Sequence, residues 1–122
     1  MIKSTRESKK IDKKISMVLK KLGISPSREG YYYIKDSILI CLDNELYNLN
    51  ITKDIYYVLS KKYQKNIKKK KKAIRKSIEI GWNNCNLSFS EEVFENIVNY
   101  DKAKPTNKEF IITIAEDISL DL

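Results

Sequence analysis

The chain has 122 residues and a formal charge of +8 at pH 7, from 24 Lys and Arg against 16 Asp and Glu. Its length and 42% apolar content suit one domain with a single core, and its few Gly and Pro exclude collagen-like and linker classes. With no histidine, two isolated cysteines and three scattered glycines, it lacks the commonest general base, a zinc ligand set and a phosphate-binding glycine loop, which leaves little room for an enzyme.

Residues 1–14 are basic and read as a flexible arm, with no apolar stretch of the kind a signal peptide needs. Ile11, Ile15, Val18, Leu19 and Leu22 follow helical spacing and end at Gly23, a fitting C-cap. After Ser25-Pro26-Ser27 a second helix is expected to about Asp43, with an apolar stripe of Tyr31, Ile34, Ile38, Cys41 and Leu42. Residues 44–50 read as a loop. Thr52 is the expected N-cap of a third helix that turns Ile55, Val58, Leu59 and Tyr63 inward. Gln64-Lys65-Asn66 breaks the pattern before a fourth helix over 67–82. A fifth follows Ser90-Glu91-Glu92 and carries Val93, Phe94, Ile97, Val98 and Tyr100. Thr106 and Glu109 form a capping box that opens a sixth helix with Phe110, Ile111, Ile114 and Ile118 inside. No strand pattern appears, so the expected fold is an all-α, six-helix domain over 15–122. Cys41 and Cys85 are expected as reduced, packed thiols in a cytoplasmic chain.

The charge is unevenly placed. Residues 53–76 carry +10 and residues 1–21 carry +6, while residues 77–122 carry −6. Such a cluster attracts polyanions, nucleic acid first and an anionic membrane surface second. The membrane reading is weak, because Ile67, Ile74 and Ile78 are needed for the core and leave no insertion face. Lysine supplies 21 of the 24 basic residues, and Lys, Ile and Asn together make 49 of the 122, which suggests A/T-rich coding.

The third and fourth helices, joined by a short break, have the spacing of a helix-turn-helix. In that arrangement the second helix enters the major groove of double-stranded DNA. Its outer side chains meet base edges, and flanking lysines meet phosphates. Lys70 interrupts the expected apolar face between Ile67 and Ile74. An amine snorkelling past its own aliphatic stem would accommodate it, as would a rotated or frayed helix start.

Five stretches carry a family resemblance: Gly30-Tyr31-Tyr32-Tyr33-Ile34, Ile51-Thr52-Lys53, Lys61-Lys62-Tyr63, Ala73 through Trp82, and Lys102-Ala103-Lys104-Pro105-Thr106-Asn107-Lys108-Glu109-Phe110-Ile111. In order and spacing, residues 15–122 resemble the C-terminal effector domain of the stage 0 sporulation protein A family, the master response regulator of endospore formation. The resemblance implies a six-helix DNA-binding domain whose fourth helix reads a short operator box. It also implies a sigma-factor contact through 82–94 and copies bound side by side on DNA. The family's receiver domain has no counterpart in these residues, so aspartyl-phosphate control is not expected within them.

The family's recognition helix typically reads Ser-Arg-x-Glu-Arg-Ala-Ile-Arg, where this chain has Lys68, Lys69, Lys70, Lys71, Lys72, Ala73, Ile74 and Arg75. The candidates for base contact are Lys69, Lys71, Lys72 and Arg75, and those for phosphate contact are Lys65, Lys68 and Lys76. Arginine offers guanine a two-pronged fork, whereas lysine offers a point charge. The expected protein is a receiver-less, lysine-rich transcription regulator of a spore-forming bacterium or its mobile element. The alternative is a low-specificity DNA-coating or architectural protein.

Overall fold

A computed structural model describes residues 5–43, 50–64, 66–84, 93–94 and 104–120. Among them are five α-helices, one π-helical turn and no strand. The all-α expectation holds at this level. Of the expected fifth helix only Val93 and Phe94 are described, and they are helical; the rest of it lies outside the described residues, as do 44–49.

The first helix, α1, spans Thr5–Lys21. It therefore begins well inside the segment expected as an arm. Its opening turns hold no apolar residue before Ile11, so hydrophobic spacing had nothing to register there, although Lys, Arg and Glu are good helix formers. Ile11, Ile15, Leu19 and Leu22 are buried as expected. At its end Gly23 donates to the Lys20 carbonyl (3.1 Å) and Ile24 to that of Leu19 (2.9 Å). This paired closure needs a left-handed residue, and Gly23 has φ +78°.

The second helix, α2 (Glu29–Leu42), is the hub, and its broadest contacts are with the fourth and the C-terminal helices. Neighbours on several sides bury Tyr33 and Ser37 as well as the expected Tyr31, Ile34, Ile38 and Cys41. A helix enclosed in this way has no single apolar stripe, which is why spacing missed those two. Gly30 lets α2 cross the fourth helix backbone to backbone, since an added Cβ would lie 2.4 Å from the Ala73 carbonyl oxygen.

The third helix, α3 (Tyr57–Tyr63), is led in by a π-helical segment, Ile51–Tyr56. Asn50, not Thr52, is the N-cap: its Oδ1 accepts from the Lys53 amide at 2.9 Å, and its own amide donates to Asp54 at 2.8 Å. The wider π turn, closed by the Tyr57 amide on the Thr52 carbonyl, shifts the helical phase of α3. Ile55, Tyr56 and Leu59 are buried, while Val58, expected inside, is 45% exposed.

The fourth helix, α4, spans Ile67–Asn84, and the C-terminal helix, α5, spans Asn107–Ser119. The capping box at the start of α5 is present as read from sequence. Glu109 N donates to Thr106 Oγ1 (3.1 Å), and Thr106 N donates to Glu109 Oε1 (2.8 Å). Phe110, Ile111, Ile114, Ala115 and Ile118 fill the core from α5, and Phe94 stacks on Phe110 with centroids 5.6 Å apart. Each of the larger side chains contributes about 1.5–3 kcal/mol when buried.

Candidate nucleic-acid interface

The interface candidate is α4, and its local sequence explains how it is presented. Gln64 takes a left-handed conformation (φ +54°) and turns the chain out of α3. Asn66 then caps α4, its Oδ1 accepting from the Lys69 amide at 2.8 Å. The buried face is Lys70, Ile74, Ser77, Ile78 and Gly81. Lys68, Lys69, Lys71, Lys72, Lys76 and Glu79 are exposed on the remaining faces.

Lys70 neither snorkels nor frays the helix. It is 0% exposed. Its Nζ donates to Tyr33 Oη at 3.0 Å and lies 4.1 Å and 4.7 Å from the ring centroids of Tyr33 and Tyr63. Tyr33 in turn donates to the Glu29 carboxylate. On the neighbouring side Tyr63 donates to Asp36, which also receives Lys62 Nζ at 3.0 Å. Burial, reinforced by Asp36, pushes the Tyr63 phenol up and keeps it protonated. Aromatic faces and a phenol thus replace water around the Lys70 ammonium. Their effect is to fix the rotation of α4 about its axis.

Arg75 sits differently from the lysines. Its Nη1 donates to the Pro105 carbonyl at 2.6 Å and its Nε to Glu79 at 3.2 Å. Asn107 makes a parallel tie, donating from Nδ2 to the Lys71 carbonyl (3.2 Å) and to Tyr56 Oη (3.1 Å). The corner 105–107 is therefore docked on one flank of α4. Between this corner and the start of the π turn lies a groove of about 590 Å³, walled by Ile51, Thr52 and Tyr56 and rimmed by Lys68, Lys71, Lys72, Arg75 and Lys108. Burial raises the Tyr56 phenol, against opposing effects from Asn107 and Arg75.

Of the sequence candidates, the structure brings Lys68, Lys69, Lys71, Lys72 and Lys76 together as exposed cations on one helix. It half-buries Arg75 against Pro105, and Lys65 lies outside the described residues. Sequence reasoning missed Lys108 and Asn107 as neighbours of α4. The capping box locates that helix start but not what it faces. Among the described residues no group of His, Cys, Asp and Glu could hold a metal ion, and no helix is long and apolar enough to cross a membrane.

Residues 15–118 match the family described as sporulation initiation factor Spo0A C terminal. The chain belongs to this family. The Spo0A C-terminal domain is the DNA-binding effector domain of a transcription regulator and not an enzyme, and the match covers all of α2 to α4, most of α5 and the C-terminal part of α1. The stretches that carried the resemblance in sequence therefore belong to a Spo0A-type domain.

Proposed function

We propose that α3, the turn at Gln64 and α4 act as a helix-turn-helix, and that α4 enters the major groove of double-stranded DNA in a cytoplasmic regulator. The observation that carries this is the contrast along α4: a fully buried, hydrogen-bonded Lys70 between exposed lysines at 68, 69, 71, 72 and 76. One face anchors the helix and the other offers a dense positive row to phosphates. Lys69, Lys71, Lys72 and Arg75 are the proposed base contacts, and Lys65, Lys68 and Lys76 the proposed phosphate contacts. A side-by-side arrangement of copies on DNA and a sigma-factor contact through 82–94 belong to the same proposal and rest on the family resemblance.

A specific observation favours a second reading, a coating or architectural role with little sequence preference. Arg75, the one arginine on α4, spends two of its donors on Pro105 and Glu79. Without a free fork, discrimination of guanine weakens.

Selection of bound DNA from a random pool, with affinities measured at two salt concentrations, separates the readings. A regulator enriches a short motif. A coating protein enriches none and binds all duplexes alike. Both lose affinity with salt, log K falling by about 0.9 per neutralised phosphate for each tenfold rise in salt. Absence of DNA retention at low salt would overturn both, and would favour a protein–protein module using the acidic C-terminal third.

A further inference from the structure

We propose that the groove between the π turn, α4 and the start of α5 binds a small phosphorylated molecule that also carries a hydrogen-bond donor. A nucleotide is the class that fits, and its occupancy would compete with DNA. Competition rests on the DNA-binding face proposed above; the binding site does not.

The groove supplies three kinds of group. First, the capping box of α5 uses the amides of Thr106 and Glu109, and leaves those of Asn107 and Lys108 at the helix start without a partner among the described residues. Amides at the positive end of a helix favour a phosphate. Second, Lys68, Lys71, Lys72 and Lys108 line the same groove, which concentrates anions there. Third, Asn107 is 7% exposed and its Oδ1 has no hydrogen-bond partner among the described residues. The Lys71 carbonyl can only accept, so the bond from Nδ2 fixes which way the Asn107 amide points.

That third observation sets the ligand class. A buried acceptor without a donor is costly and asks for an N–H or O–H. A phosphodiester linkage of DNA has no proton to donate. A nucleotide offers phosphates to the lysines and amides, and a base amine or ribose hydroxyl to Asn107. The volume of about 590 Å³ falls within the range of small-ligand sites, roughly 300–1,000 Å³. Because Lys68, Lys71 and Lys72 also belong to the proposed DNA face, one occupant excludes the other.

Calorimetric titration of the whole chain with ATP, AMP, adenosine and tripolyphosphate, without DNA, tests the site. ATP and AMP should saturate one site, with tripolyphosphate at least about tenfold weaker than ATP and adenosine weaker still. Lys108→Glu and Thr52→Trp alter exposed groove residues outside the proposed DNA contacts. Each should weaken ATP by about tenfold or more at an unchanged melting temperature. ATP should then raise the protein concentration needed to half-saturate a DNA duplex. Equal affinity for tripolyphosphate and ATP would show diffuse charge attraction only and would overturn the site. So would the absence of saturable nucleotide binding, or indifference of ATP affinity to both substitutions. Failure of DNA retention counts against the DNA-binding proposal alone, and the titrations without DNA still decide the groove.

Discussion

A lysine ammonium inside a protein persists only where other groups replace its water. Around Lys70 those groups include the Tyr33 hydroxyl and the faces of Tyr33 and Tyr63. Replacing Lys70 by Ala should cost about 2–5 kcal/mol in urea unfolding, because a fully buried side chain leaves a cavity. Lys70→Met keeps the volume and loses the charge-assisted hydrogen bond, so a smaller loss of about 1.5–3 kcal/mol is expected. A second position concerns backbone strain. Gln64 holds φ +54°, a region that penalises a Cβ by about 1–2 kcal/mol, so Gln64→Gly should raise the melting temperature after offsetting chain entropy of about 0.5–1 kcal/mol. A third concerns alkaline pH. Burial pushes the Cys41 thiol from 9.0 up to about 12, and raises the Tyr63 phenol above 10.0. In both cases the folded state holds the proton more tightly than the unfolded chain. Their contribution is complete below the unfolded values and is lost as pH climbs toward the folded ones. Stability should therefore fall from about pH 9 upward, and Cys41→Ala should shallow the early part of that fall, measured by denaturant midpoints across pH.

At the scale of elements, local chemistry is legible in the sequence and helical phase is not. The Thr106–Glu109 box and the Gly23 stop depend on residues within a turn of each other, so their types and spacing suffice. Thr106→Ala should cost about 1 kcal/mol, seen as a lower melting temperature. The start of α1 is hidden because its first turns carry only polar residues, and Val58 faces outward because a π turn rotates the helix after it. Lys70 marks a different limit. Spacing puts it on the inner face correctly, but Tyr33 and Tyr63, which make that tolerable, are 37 and 7 residues away in sequence. The candidate site divides in the same way. The exposed lysines of α4 can be read from a helical wheel, whereas the docking of Pro105 and Asn107 on its flank is a tertiary contact between segments some 30 residues apart.

For the whole molecule, the charge gradient is organised by the fold. The +10 segment is π turn, α3 and the first half of α4, while the acidic remainder includes α5. Long-range attraction to a duplex is thereby directional, and it should be screened strongly as the Debye length shrinks to about 8 Å at physiological ionic strength. Arg75 joins this surface to the fold itself, since it ties α4 to Pro105. Arg75→Ala is accordingly expected to lower thermal stability as well as DNA affinity. Arg75→Lys, which keeps the charge and loses the fork, should retain low-salt binding, as checked by melting and DNA titration on the same preparations.

Trp82 is the single tryptophan of the chain, and it meets Phe94 edge-on with centroids 5.3 Å apart at the far end of α4 from the lysine run. Its emission is therefore an intrinsic optical probe of the seam where α4 meets the Phe94 segment. A ligand confined to the lysine end should leave that emission nearly constant. A quench or wavelength shift on adding DNA would instead report that binding propagates along α4 to its C-terminal turn. No label is required to see the difference.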